Sequence, residues 1–106
     1  MTKATMYWQR LRLEVTGHAG YAEAGKDIVC AAISMLTDAL AGVLEEAEAR
    51  GRCMHKIRDG DGSMVITADP TMGSVTEIKA YFRMAVTGMR MLQEQYPEHI
   101  RIQEVQ

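Results

Sequence analysis

"DIVCAAISMLTDALAGVLEEAEARG", residues 27–51, reads as one helix bounded at both ends. Asp27 is a good N-cap, because its carboxylate accepts the unpaired N–H groups of a first helical turn. Gly51 supplies the stop after Arg50. The spacing predicts a helix over roughly 28–50 with two apolar stripes. Val29, Ile33, Leu36, Leu40 and Leu44 form one, and Ile28, Ala32, Met35, Ala39 and Gly42 form the other. A helix apolar around most of its circumference should be buried on more than one side.

The flanking segments read as strands. "ATMYW" (4–8) and "LRLEVT" (11–16) precede the helix; Leu11, Leu13 and Val15 alternate with Arg12, Glu14 and Thr16, as in a half-buried strand. Gln9-Arg10 would be the turn between them, although neither is a favoured turn former. After the helix, "RCMHKIR" (52–58) and "SMVITAD" (63–69) are joined by Asp59-Gly60-Asp61-Gly62, a hairpin signal that is too short for a calcium loop. Ser74-Val75-Thr76-Glu77 fits a capping box opening a second helix to about Tyr96, with Ile78, Phe82, Ala85, Met89 and Leu92 at helical spacing and Pro97 beyond its end. "IRIQEV" (100–105) is a last strand. The order ββαββαβ predicts a single α+β domain over residues 1–106, an α/β sandwich in which two helices cover one face of a mixed or antiparallel sheet.

Composition narrows the function classes. A net charge of −2 gives no electrostatic case for binding nucleic acid. Arg50, Arg52, Lys56 and Arg58 read as a solvated face rather than a phosphate site. No apolar run approaches the ~18 residues of a membrane span, and "MTKATMYWQR" lacks the uninterrupted apolar segment of a signal peptide. The expectation is a cytoplasmic protein without a membrane partner, its two cysteines, Cys30 and Cys53, reduced.

Cys30 admits two readings. Free cysteine is often a small core residue. Yet Cys30, Ser34, Thr37, Asp38, Glu45 and Glu48 form the polar stripe of the helix, and Cys30 lies in its first turn, where unpaired N–H groups and the dipole favour a thiolate. His18 follows the second strand, and Gly17 and Gly25 let the intervening loop fold back, so that the imidazole could take the thiol proton. Cys53 and His55 could add ligands to a metal site with His18 and Cys30, but the spacing does not favour one, and neither a metal nor another cofactor is expected. On the second helix, Tyr81, Met84, Gly88 and Met91 form a stripe suited either to a dimer contact or to packing within the chain.

Gly17-His18-Ala19, a short loop to Gly25, then Asp27-Ile28-Val29-Cys30-Ala31-Ala32 with Ser34 resembles the signature of the Prp family of ribosomal-processing cysteine proteases, and the element order and length are similar over nearly the whole chain. The resemblance implies a homodimeric bacterial endopeptidase that removes the N-terminal extension of large-subunit ribosomal protein twenty-seven. It implies Cys30 as nucleophile, His18 as general base, Asp27 and Ser34 as supporting residues and Gly17 as a loop hinge; Asp27 would either cap the helix or orient His18. The substrate would lie across Ala19, Gly20, Tyr21, Gly25 and Lys26, with Leu11, Tyr21 or Ile28 lining an apolar pocket and N–H groups at the helix start holding the oxyanion. The competing function is a non-catalytic binding module that docks on a ribosomal or phage structural protein.

Overall fold

Alternation in the strands produces a sheet with one dry face. The computed structural model describes residues 1–23 and 25–106. Strands β1 (Thr2–Tyr7) and β2 (Arg12–Thr16) precede helix α1 (Ile28–Ala49). The hairpin β3 (Cys53–Gly60) and β4 (Ser63–Pro70) follows, then helix α2 (Val75–Gln95) and strand β5 (Ile100–Val105). The sheet order is β3-β4-β2-β1-β5, with β1 and β5 parallel and every other pair antiparallel. Ala4, Met6, Leu13, Val15, Ile66, Ala68, Ile100 and Ile102 are buried on one face. The helices bring Val29, Ile33, Leu40 and Leu44, and Ile78, Phe82, Val86 and Met89, into the same core. Each of the Val, Leu, Ile, Phe and Met side chains contributes ~1.5–3 kcal/mol on burial. The α+β sandwich expected from the element order is the fold observed.

Local differences have physical causes. The first turn spans Trp8–Leu11, and Leu11 takes φ 46, a left-handed conformation in a leucine that is buried. The hairpin turn narrows to Asp61-Gly62, because Gly60 already pairs with Ser63. The capping box does not form. Ser74 Oγ accepts from the Thr71 hydroxyl at 2.9 Å instead, and Glu77 accepts from Arg52 at 2.6 Å and Arg50 at 3.1 Å. These two arginines of the basic group are thus ion-paired.

Further expectations are corrected, and one open alternative divides. Although Ser34, Thr37 and Asp38 break its apolar run, α1 is long and apolar enough, by length and composition alone, to cross a membrane. In this fold its Val29–Ala47 stripe covers the sheet instead, whereas the second stripe, expected to be buried as well, is exposed at Ile28, Met35, Ala39 and Gly42, because α1 packs through one face only. The stripe of Tyr81, Met84, Gly88 and Met91 on α2 divides. A β-carbon on Gly88 would stand 2.5 Å from Leu36 Cδ2 of α1, so this glycine serves the helix–helix approach within the chain. Tyr81 packs at the core edge, whereas Met84 and Met91 are exposed.

The register also gathers distant segments at one end of the sheet. Thr16 pairs with Lys3 and Ser63, and Thr2 pairs with Ile100. The end of β2, the β3–β4 turn, the start of β1 and the start of β5 therefore meet where α1 begins.

Candidate active site

At this end the chain leaves β2 through a tightly held glycine. Gly17 has φ +85, its N–H donates to Gly62 O at 2.8 Å, and its carbonyl accepts from Thr2 Oγ1 at 3.4 Å. A β-carbon there would stand 2.5 Å from Met1 O, so both the conformation and the space require glycine. The loop then turns inward at Ala19, which is buried, while Gly20, Tyr21, Gly25 and Lys26 remain exposed. Ala24 lies outside the described residues.

Asp27 joins this loop to α1. Its Oδ1 accepts from the backbone N–H groups of Val29 and Cys30 at 3.0 and 2.9 Å, the N-cap expected from the sequence. Its Oδ2 accepts from Tyr21 and Ala22 at 3.0 and 3.3 Å. The Cys30 N–H above all holds the carboxyl below its ordinary range; desolvation opposes it, and the Ala22 and Tyr21 N–H groups add to the lowering. Among the described residues, Asp27 makes no hydrogen bond to His18, so its carboxylate serves the backbone.

Cys30 occupies the first turn of α1, half-buried, and its Sγ accepts the Ala19 N–H at 3.3 Å. His18 is exposed, its ring against the β3–β4 turn; a β-carbon on Gly62 would stand 3.3 Å from Nε2. Both residues line two adjoining clefts. One has Thr2, Val15, Ile33, Thr37 and Met64 in its walls. The other is bounded by Gly20, Ala22, Gly25, Asp27 and Ala31. Ser34, one turn beyond Cys30, borders both, and its hydroxyl makes no hydrogen bond among the described residues. His18 and Cys30 flank the cleft without a direct hydrogen bond among the described residues.

Several sequence expectations are redirected here. Leu11 lies at the opposite end of β2, roughly 20 Å from Gly17 at strand rise, and does not line either cleft. Ile28 is exposed outside both clefts, and Tyr21 packs edge-on against Tyr96 at 5.4 Å. The apolar walls come from Val15, Ile33 and Met64, which the sequence reading assigned only to the core or to strands. Thr37, placed on the solvent stripe, is buried and donates to Ser34 O at 3.0 Å. Val29 and Cys30 already give their N–H groups to Asp27, so those two do not supply the expected oxyanion donors.

Cys53 and His55 belong to a separate arrangement. Cys53 is buried with its thiol directed at Leu44 O, 3.7 Å away, and burial, with the negative charges of Glu48 and Glu77, pushes the thiol up. His55 Nδ1 lies 2.9 Å from Glu48 Oε1. Cys30 and Leu44 are separated by about 21 Å of helix, so the two cysteines do not share a site.

The model of the family described as cysteine protease Prp matches residues 1–101. No curated protein matches significantly. Among solved structures, an essential ribosomal processing protease Prp from S. aureus, in complex with a covalently linked product peptide, superposes with a TM-score of 0.79 at 22% identity, covering 99% of this chain and 100% of that one. The same S. aureus protease with a substrate peptide gives 0.73 at 21% identity over 99% and 100%. SMU.848 from Streptococcus mutans gives 0.68 at 25% identity over 98% and 91%. Given the family match along almost its full length, the chain belongs to the cysteine protease Prp family and is a cysteine-type peptidase.

Proposed function

We propose that the chain is a cytoplasmic ribosomal-processing endopeptidase that removes the N-terminal extension of bacterial large-subunit ribosomal protein twenty-seven, with Cys30 as nucleophile and His18 as general base. The observation that carries this reading is Cys30 in the first turn of α1, its Sγ accepting a backbone N–H on a cleft that His18 also lines. The first turn of α1 and the Ala19 N–H both present positive partial charge to the sulfur. The solved S. aureus structures of this fold are described as ribosomal processing proteases holding substrate and product peptides, which supports the substrate class.

In the proposed reaction His18 takes the Cys30 proton, and the thiolate adds to the scissile carbonyl. Collapse of the tetrahedral intermediate breaks the C–N bond as imidazolium His18 protonates the leaving amine. Water, deprotonated by neutral His18, then attacks the acyl-enzyme; the C–S bond breaks, and the proton returns to sulfur. The cleft walled by Val15, Ile33 and Met64 has a volume of about 210 Å³. An apolar cavity of about 150 Å³ holds benzene, so an aromatic side chain beside the cut fits this space. Asp27 and Ser34 support the site from α1, Asp27 by fixing the loop and the helix start together.

Intact-mass spectrometry of an extended ribosomal-protein N-terminal peptide, incubated with wild type and with Cys30→Ala, tests the reading. Cleavage by wild type alone is expected, and the product mass gives the cut. Cleavage by folded Cys30→Ala would remove the nucleophile assignment, and an intact peptide with wild type would remove the substrate assignment.

A further inference from the structure

Ala19 is held from both sides by residues remote in sequence. Its N–H donates to Cys30 Sγ at 3.3 Å, and its carbonyl oxygen lies 2.9 Å from Nδ1 of His99. A carbonyl oxygen only accepts, so Nδ1 carries the hydrogen in this contact. His99 belongs to the turn between α2 and β5. Its own backbone is fixed, with the N–H donating to Tyr96 O at 2.9 Å and the carbonyl accepting from Thr2 N–H at 3.0 Å. Its ring meets Tyr21 edge-on at a centroid distance of 5.3 Å.

These contacts make His99 a rigid post under the loop. Between Gly17 and Gly20, both at positive φ, Ala19 is the buried residue, and His18 precedes it directly. A shift of Ala19 moves the donor at sulfur and the imidazole together. We propose that His99 is a positioning residue for the peptidase: through its Nδ1–H on Ala19 O it holds the Ala19 N–H at Cys30 and His18 at the mouth of the cleft. The proposal rests on the assignment of Cys30 and His18 as the reactive pair.

Two substitutions separate the hydrogen bond from ring packing. His99→Phe keeps a ring against Tyr21 and removes the donor, whereas His99→Asn loses the ring and places an amide N–H near the position of Nδ1. Alkylation of Cys30 by iodoacetamide, followed by peptide mapping at neutral pH, reads the site without any peptide substrate. In folded His99→Phe the rate is expected to fall about tenfold, the effect of losing roughly one well-placed hydrogen bond, and His99→Asn is expected to restore most of it. On a cleaved peptide the same loss is expected in kcat, with KM little changed. A wild-type rate in folded His99→Phe, or a folded His99→Asn as slow as His99→Phe, would overturn the proposal.

The tautomer of His99 in the wild-type protein gives a test independent of how the variants fold. Long-range 1H–15N spectra are expected to show hydrogen on Nδ1; an Nε2–H tautomer with bare Nδ1 would overturn the proposal. Because alkylation and tautomer need no substrate, an error in the ribosomal-protein assignment shows in the cleavage assay alone.

Discussion

Gly62 leaves the space that the His18 ring occupies: a β-carbon on Gly62 would stand 3.3 Å from His18 Nε2, and the residue has φ +67. The hairpin turn is therefore both a strand connection and one wall beside the imidazole. Gly62→Ala meets two costs, the left-handed backbone, about 1–2 kcal/mol for an L-residue, and displacement of the ring. Thermal denaturation is expected to show the first as a lowered Tm. Peptide cleavage at a temperature where the variant remains folded is expected to fall several-fold. Full activity there would detach the turn from His18 placement.

The two cysteines should separate cleanly by reactivity. Cys30 opens onto the cleft, whereas Cys53 is buried, and desolvation with nearby carboxylates raises its thiol away from ionisation. Only the thiolate reacts appreciably. Iodoacetamide at neutral pH is expected to modify Cys30 in the native protein and Cys53 only after denaturation. Cys53→Ala should retain cleavage. Equal native labelling of both would contradict the burial of Cys53.

Gly88 and Leu36 predict a coupled pair of substitutions. Alanine gains helix stability over glycine, about 1 kcal/mol, but its β-carbon meets the Leu36 side chain, and overpacking costs about 1–3 kcal/mol. Gly88→Ala alone should therefore destabilise the protein by about 1 kcal/mol net. Added to Leu36→Ala, the same change should stabilise. Denaturation midpoints of the four proteins complete the cycle, and additive effects would show that the two helices tolerate the extra carbon.

The strands and helices were legible because their periodicities repeat in residues whose partners hardly matter: any apolar neighbour satisfies Leu13 or Phe82. The Asp27 cap was legible for a related reason, its donors lying two and three residues away. Features that depend on a distant partner were not. Glu77 fits a capping box locally, but Arg50 and Arg52 arrive from across the fold and claim it. Leu11 carries no turn signature and adopts positive φ while remaining buried. Nothing in "YPEHIRI" links His99 to a loop 80 positions earlier; that contact exists because β5 pairs with β1 and starts where β2 ends. Cys30 and His18 could be picked out as candidates from spacing, whereas the walls of their cleft required the register of four strands and a helix.

Asp27 provides the pH prediction. Hydrogen bonds from Cys30 and the loop place its folded value below the ordinary 3.8. A carboxyl lowered on folding stabilises the native state fully above its unfolded value, and the contribution is lost as pH falls through the folded one. Asp27→Asn keeps an oxygen for the helix start but turns an NH2 toward the Tyr21 and Ala22 N–H groups, donor against donor. The variant is expected to be less stable than wild type by a constant margin at neutral and mildly acid pH. That margin should shrink only below about 3.8, as wild-type Asp27 protonates. Urea denaturation from pH 7 down to 3 measures it. A margin that closes near pH 6 would assign the effect to a histidine, and the absence of any margin would show that the loop does not depend on Oδ2.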